Sequence, residues 1–330
     1  MLITSERKFG VEIEFKTETG EGMKRLSRLI PLTGDGSIRH IKNTAEFVSP
    51  VLQGQKGERY LHNICDTLKQ HGATGDNPAF SVHIHLDARL DEGKVVKLGS
   101  RPKDIPSYGI SRKVQKEHGK EVIESYVRCL PTIINAELSQ LENVLYLSKA
   151  PLSRHPMANY DYFYYEKSDR SKWLRNMLYF YTQYSDVMEG IVSNSRKFGN
   201  MYCIPLGKSY DLGEIEGAKD MKQLRSLWYK GRGSSGHYDD SRYHNVNFHS
   251  VWNRTGTVEI RSHGGTIDVY KILFWLRLHQ HIADKLEEVE LGDIKLKGDL
   301  YKSFVDFLDD EQLTEYVKRL LGYYSGITIK

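Results

Sequence analysis

Residues 9–15, Phe-Gly-Val-Glu-Ile-Glu-Phe, carry an apolar residue at every second position, with Glu12 and Glu14 between the last three of these. Side chains of a β-strand point to opposite faces in turn, so this segment predicts a strand with one apolar and one acidic face. The acidic face carries Glu12 and Glu14. Two carboxylates on one face repel each other unless a cation lies between them, which favours a Mg2+ or Mn2+ site. The alternative is an edge strand whose polar side faces solvent.

Three later segments repeat this division into an apolar and a polar face. In residues 81–87, Ser-Val-His-Ile-His-Leu-Asp, the polar set includes His83 and His85, and imidazole suits either a divalent metal or a phosphate. The other two segments place these polar residues opposite their apolar ones: Asn245, Asn247 and His249 in the first, and Glu259, Arg261 and His263 in the second. Each segment alone could be an exposed or structural strand. Together in one sheet, they would form a polar face able to bind both cations and anions.

The remaining periodicity predicts the order of the elements. We expect strands over 7–17, 80–87, 243–252 and 256–264, a hairpin over 35–50, and a turn at 253–255 that joins the last two strands. Helical spacing predicts helices over 58–71, 120–147, about 171–195 and 268–288, and one or two more within 300–321. Because strands and helices come in separate groups rather than in strict alternation, the pattern indicates an α+β fold around an antiparallel sheet.

Composition excludes several classes of protein. The 330 residues are 39% hydrophobic and 27% charged, which is typical of a soluble globular chain. The net charge of +4 is small and its positive residues are dispersed, which argues against a nucleic-acid partner. We expect no membrane segment, because no apolar run approaches the ~18 residues that a spanning helix needs. Cys65, Cys129 and Cys203 are odd in number and far apart, and the first residues lack a signal-peptide core, so a cytoplasmic location is expected.

Five motifs carry a family resemblance through their order and spacing: FGVEIEF, GDGSIRH with TAEFVSP, SVHIHLD, YHNVNFHS and TVEIRSHGGT. In these motifs the chain resembles the amidoligase family, a branch of the carboxylate–amine ligases with a glutamine synthetase-like catalytic domain. The resemblance covers about residues 7–90 and 240–285 and is loose between them. It implies a curved antiparallel sheet of glutamine synthetase-like type with helices packed on its apolar face. It also implies one catalytic domain over 1–330, in which 91–240 is a family-specific insertion of helices and loops.

The resemblance further implies roles for individual residues. The expected ligands of two or three divalent metals are Glu12, Glu14, Glu46, His83 and Glu259. His85 is expected near substrate or phosphate, Asn247 on the substrate or nucleotide side, and Arg261 against phosphate. The catalytic residues are then expected to be Arg261 and Glu259. Asp35, in the DGS turn, either binds metal or shapes the turn.

The implied function is a ligase that uses ATP and Mg2+ or Mn2+ to join a carboxylate to an amine through an acyl phosphate. The carboxylate could belong to an amino acid, a peptide or a protein. Two alternatives use the same residues differently. One is a metal-dependent hydrolase, although the oxygen-rich ligand set favours Mg2+ over Zn2+. The other is a non-catalytic binding protein on the same fold.

Overall fold

The computed structural model describes residues 2–34, 36–88, 170–197, 199–232, 239–253 and 255–329, and the backbone of strands 95–100 and 161–165. The chain divides into two compact units, Met1–Ala88 with Arg170–Lys330 and Arg89–Asp169. The predicted insertion over 91–240 overlaps the second unit as far as residue 169, whereas residues 170–240 belong to the first. The predicted helix over 120–147 and the role of Asp35 lie outside the described residues.

The first unit is built on one seven-stranded sheet that does not close into a barrel. Its strands are β1 (Phe9–Thr17), β2 (Leu32–Thr33), β3 (Thr44–Val48), β4 (Ala73–Thr74), β5 (Ser81–Asp87), β8 (Val246–Asn247) and β9 (Thr257–Gly264). Their order is β2-β3-β1-β5-β9-β8, with β4 paired to the end of β1, and every strand pair is antiparallel. The predicted antiparallel sheet is therefore confirmed. The second unit contains a two-stranded antiparallel sheet of β6 (Val95–Ser100) and β7 (Asp161–Tyr165).

The helices of the first unit lie between and after these strands. Before β5 they are α1 (Gly20–Leu29) and α2 (Gly54–Gln70). Between residues 170 and 256 they are α3 (Ser171–Gln183), α4 (Ser185–Gly190), α5 (Leu212–Gly217), α6 (Met221–Trp228) and α7 (His249–Asn253). The C-terminal part holds α8 (Val269–Glu288), α9 (Leu291–Ile294), α10 (Leu300–Leu308) and α11 (Glu311–Ser325). No helix within these described parts is long and apolar enough to cross a membrane.

The apolar faces of the strands form one core with the helices. Ile13, Phe15 and Ile84 are fully buried, as the alternation predicts. The long helix α8 crosses this core and begins at Asp268, whose side chain accepts a hydrogen bond from Tyr270 N at the N-terminus of the helix. The other faces of β1, β5 and β9 carry the charged residues. The sheet thus separates an apolar side from a polar side.

Most of the predicted elements are confirmed, but the strand over 243–252, the turn at 253–255 and the helix over 171–195 are wrong, and the hairpin predicted over 35–50 begins earlier, at β2. Residues 243–252 do not form one strand: the strand is limited to β8, and the helix α7 connects it to β9 in place of a three-residue turn. Asn247 Oδ1 accepts a hydrogen bond from His249 N at 2.7 Å, which turns the chain into that helix. The predicted helix over 171–195 breaks at Tyr184, whose N–H bonds to both Phe180 O and Thr182 O and tightens the turn.

Candidate functional site

The polar residues of the first motif lie beside those of the later motifs because their strands are neighbours. In the registers of β1 with β3 and β5, Glu12 is paired with His83 and Glu14 with Glu46. In the registers of β9, Glu259 is paired with His85 on one side and with Asn247 on the other. Residues paired across antiparallel strands have neighbouring side chains on one face. The polar face therefore gathers residues that are up to 247 positions apart in the sequence.

Glu12 lies at the centre of this cluster. Its Oε2 is 3.0 Å from His83 Nδ1, and its Oε1 is 3.1 Å from His85 Nε2. His83 Nδ1 is also 3.4 Å from Glu259 Oε1, so the imidazole lies between two carboxylates. His85 is oriented from its other side by Thr257, whose Oγ1 is 3.0 Å from His85 Nδ1. One carboxylate thus organises both histidines of the HxH motif.

Two groups of three side chains are arranged so that a metal ion could bind. Glu12, His85 and Glu259 form the first trio, and Glu12, Glu46 and His83 form the second. Within each trio, one potential ligand atom per residue lies within 4.8 Å of the others. Carboxylate oxygens and imidazole nitrogens are ligands of Mg2+, Mn2+ and Zn2+, so the donor sets fit divalent cations. Glu12 belongs to both trios and could bridge two ions.

An arginine and an amide complete the cluster at Glu259. Arg261 Nη1 is 2.6 Å from Glu259 Oε1, and Asn247 Nδ2 donates to Glu259 Oε2 at 2.7 Å. Glu259 is buried, and 13% of the Arg261 side chain is exposed. The arginine therefore places a partly exposed positive group directly beside the trio that contains Glu259.

The electrostatics of the cluster favour ionised carboxylates. Burial raises the pKa of Glu12, but hydrogen bonds with His83 and His85 outweigh it and hold that pKa well below the usual range. Burial likewise raises the pKa of Glu259, and the charges of Arg261, His85 and His83 bring it below the usual value. For His85, burial lowers the pKa, but the contact with Glu12 outweighs it and raises the pKa to about 9. Ionised carboxylates are the form that binds metal.

Glu14, predicted as a metal ligand, has a different environment from Glu12. Its Oε2 accepts hydrogen bonds from Ser81 N at 2.6 Å and from Ser81 Oγ at 2.7 Å. Its Oε1 accepts a hydrogen bond from Ser37 Oγ at 3.3 Å. Glu14 is buried on the same face as Glu12, but it belongs to neither trio. A cation at Glu14 would have to compete with these donors.

His263, predicted on the polar face, lies on the opposite side of the sheet. β5 runs two positions from Val82 to Ile84, whereas the paired segment of β9 runs three positions from Ile260 to His263. This bulge reverses the alternation beyond Arg261. The His263 ring packs 5.2 Å from Trp275 on α8, and burial lowers the pKa of His263 to about 4.

Thr257 on the polar face and Arg196 near it were not among the predicted site residues. Thr257 could have been found, because it is two positions before Glu259 and shares its face by alternation. Arg196 could not, because it lies in a short 3-10 helix, Asn194–Arg196, outside all of the motifs.

The comparison with protein families gives one match. The family model described as "Putative amidoligase enzyme" matches residues 33–98 and 165–283, which is more than half of the chain. The matched segments contain β3, β5, β8 and β9 and therefore six of the eight predicted site residues, all but Glu12 and Glu14 on β1. No curated protein matches the chain.

Proposed function

Because the chain belongs to the amidoligase family, we propose that it is a ligase that joins a carboxylate to an amine at the polar face of the sheet. In this proposal, ATP is the second substrate, and the sheet is of glutamine synthetase-like type. The observation that carries it is the direct contact between a cation-binding cluster and a cationic side chain. Two trios share Glu12, and Arg261 contacts Glu259 within one of them. A site for a metal-bound phosphate needs both kinds of group side by side.

The proposed reaction has two steps. An oxygen of the carboxylate substrate bonds to the γ-phosphorus of ATP while the bond to the β–γ bridging oxygen breaks, so ADP leaves and an acyl phosphate forms. The amine nitrogen then bonds to the acyl carbon while the bond from that carbon to the phosphate oxygen breaks. Phosphate leaves, and the nitrogen loses a proton to give the amide. The carboxylate substrate would be that of an amino acid, a peptide or a protein.

The divalent cations would be Mg2+ or Mn2+, held by Glu12, Glu46, His83, His85 and Glu259, which supply the two trios. Bound there, they would neutralise the negative charge on the phosphate oxygens during transfer. The resemblance adds Glu14 as a ligand, in competition with its hydrogen bonds from Ser81. Carboxylate ligands outnumber histidines in the cluster, which favours these hard cations over Zn2+.

The protein's own side chains would orient and stabilise the reactants. Arg261 would bind a phosphate oxygen, since its planar guanidinium can donate two parallel hydrogen bonds. Glu259 and Asn247 hold that arginine and the neighbouring metal ligands in place through contacts of 2.6 and 2.7 Å. Glu259 and Asn247 are buried and Arg261 is partly buried, so little reorganisation is needed when charge develops.

The first test is calorimetric titration of the full chain with ATP, in the presence and absence of Mg2+. We expect Mg2+-dependent binding that Glu12→Gln weakens by about tenfold or more, because that substitution removes a charged ligand from both trios. Glu315→Gln makes the same chemical change at an exposed position of α11 and should bind like wild type. Release of ADP that requires both a carboxylate and an amine would then establish the ligase.

Other outcomes would contradict the proposal. Failure of the wild-type chain to bind MgATP would exclude the ATP-dependent ligase and favour a non-catalytic protein. Purification with bound Zn2+, together with hydrolysis in the absence of ATP, would favour the metal-dependent hydrolase.

A further inference from the structure

A short segment between α4 and α5 covers one end of the polar face. Gly264 on β9 is paired with Ser81 on β5, whose hydroxyl reaches Glu14 on that face. A Cβ atom at Gly264 would lie 3.2 Å from Ser193 Oγ. The 3-10 helix Asn194–Arg196, which begins directly after Ser193, therefore lies over the polar face where β5 begins and β9 ends.

Arg196, at the end of this helix, has an unusual environment for a buried arginine. Its residue is 6% exposed, and its Nη2 donates to Phe80 O, which also accepts a hydrogen bond from Gly265 N at 2.7 Å. Among the described residues, the buried Nε of Arg196 has no hydrogen-bond partner. No carboxylate oxygen in the described parts of the chain lies within 4.0 Å of its guanidinium. A buried guanidinium normally requires such a partner.

Other arginines of the first unit show what Arg196 lacks. Arg7 pairs with Asp284 at 2.8 Å, Arg261 with Glu259 at 2.6 Å, and Arg277 with Asp310 at 2.8 Å. Each of these pairs compensates its positive charge inside the protein. The guanidinium of Arg196 stays protonated at neutral pH like theirs, so its charge remains available to an anion that enters from outside.

The charges around Arg196 connect it with the cluster. Burial lowers the pKa of Arg196. The charges of Cys203 and Glu14 partly counteract this effect, and the charge of Arg261 lowers the pKa further. The guanidinium of Arg196 therefore interacts electrostatically with both the carboxylate of Glu14 and the guanidinium of Arg261. Arg261 Nε lies 3.5 Å from Tyr202 O, which belongs to the same segment that follows Arg196. Two guanidinium groups thus lie at one end of the site, and within the described parts of the chain Arg261 has a carboxylate partner whereas Arg196 has none.

We propose that Arg196 binds an anionic oxygen of a reactant, from a phosphate or a carboxylate group, together with Arg261. The proposal rests on the proposed function, because the anion is one that the ligase reaction supplies. The reactant would then supply the hydrogen-bond partner that the buried Nε of Arg196 lacks among the described residues. Because the unpaired Nε and the bound Nη2 belong to one planar group, an incoming anion would complete its hydrogen bonding.

The test compares Arg196→Gln, Arg196→Lys and wild type by calorimetry, with MgATP as the phosphate probe and L-glutamate as the carboxylate probe. We expect Arg196→Gln to weaken binding of at least one probe by about ten- to a hundredfold, as for a lost hydrogen bond to a charged group. Arg196→Lys should lose less, because it keeps the charge but not the planar fork. Weaker MgATP binding identifies phosphate as the source of the anion, and weaker glutamate binding identifies carboxylate.

The control separates anion binding from a structural role. Arg277→Gln removes a paired arginine on α8 and should change the thermal midpoint without changing either dissociation constant. If Arg196→Gln behaves in the same way and binds both probes like wild type, the inference is overturned while the proposed function stands. If the wild-type chain does not bind MgATP, both are overturned.

A second measurement uses the wild-type protein and therefore tests the proposal even if the Arg196 variants do not fold. In wild-type protein labelled with 15N, the Nε–H signal of Arg196 is identified as the one missing from Arg196→Lys, or by sequential assignment if that variant is unstable. We expect this signal to shift on addition of one of the two probes. An unchanged Nε–H signal at a probe concentration that saturates the site would contradict anion binding by Arg196.

Discussion

Glu12 and Glu14 differ by two positions and share one face of β1, but their neighbours give them different properties. Glu12 contacts His83 and His85 at 3.0 and 3.1 Å, and it belongs to both candidate metal trios. Glu14 accepts three hydrogen bonds from Ser81 and Ser37 and belongs to neither trio. A carboxylate that accepts several hydrogen bonds has already replaced much of its hydration, so a cation gains less from binding it. The two glutamates should therefore contribute unequally to metal affinity.

At the residue scale, we predict that Glu12→Gln weakens Mn2+ binding more than Glu14→Gln does. The expected losses are about tenfold or more for Glu12→Gln and less than about threefold for Glu14→Gln. Direct titration with Mn2+, monitored by its electron paramagnetic resonance signal, measures both affinities without a nucleotide. Equal losses, or the reverse order, would mean that Glu14 exchanges its serine partners for the metal.

At the scale of elements, the site depends on a backbone crossing between two segments. Residues 75–80, before β5, cross residues 265–266, directly after β9. Gly265 N donates to Phe80 O at 2.7 Å, directly beside the Ser81 that holds Glu14. On the other side of the crossing, a Cβ atom at Gly75 would lie 2.7 Å from three backbone atoms of Thr266. Two glycines therefore allow the two backbones to approach closely. This crossing aligns the beginning of β5 with the end of β9.

We predict that Gly75→Ala destabilises the protein by about 2 kcal/mol or more, because backbone atoms cannot move aside as a flexible side chain can. Gly292→Ala is the control: a Cβ there meets no atom within 4 Å among the described residues, so the substitution should not destabilise the protein. Urea unfolding followed by circular dichroism measures both changes. A Gly75→Ala variant as stable as the Gly292→Ala variant would mean that the crossing relaxes easily.

At the scale of the whole molecule, a line of aromatic and histidine side chains, buried except for the partly buried His263, connects the sheet with the helices. The ring of Trp275 on α8 lies 5.2 Å from that of His263 and 4.4 Å from that of His279. Tyr181 on α3 continues the line, with its hydroxyl 2.6 Å from His279 Nδ1. Burial lowers the pKa of His263 to about 4 and that of His279 to about 3. Both histidines are therefore neutral in the folded protein at neutral pH.

This burial predicts a loss of stability in mild acid. The histidines of the unfolded chain titrate near ~6.5, so between that pH and about 4 the unfolded state binds more protons than the folded state. Stability is therefore full above ~6.5 and falls as the pH decreases, by up to about 1.4 kcal/mol per pH unit for each histidine. His85 contributes to the pH dependence in the opposite direction. Because its pKa is raised to about 9, it adds stability that is fully present below pH ~6.5 and is lost as the pH rises toward 9.

We predict that His279→Gln flattens the dependence of unfolding free energy on pH between 6.5 and 4, even if it lowers stability at pH 7. His40→Gln removes an exposed histidine and should leave the slope unchanged. Urea unfolding at several pH values gives the slope for each variant. A slope in His279→Gln as steep as in wild type would show that other groups cause the acid sensitivity.

The local sequence was sufficient to predict which residues of β1 and β5 share the polar face, and where α8 and the last helices lie. Alternation with period two is a property of each strand by itself, and so is the spacing of apolar residues in a helix. The five ordered motifs also identified the family that more than half of the chain matches. Glu12, His83, His85 and Glu259, which the motifs predict as site residues, lie together in the structure.

The remaining features depend on contacts between segments that are far apart in the chain. The bulge that moves His263 to the apolar face arises in the register of β9 against β5, about 180 residues earlier. The division of roles between Glu12 and Glu14 depends on which residues of β5 face each of them. The position of Arg196, whose Nε has no hydrogen-bond partner among the described residues, results from a short helix that crosses the polar face. Periodicity describes the faces of single elements, whereas register and crossings are set by hydrogen bonds and packing between elements, which no local pattern encodes.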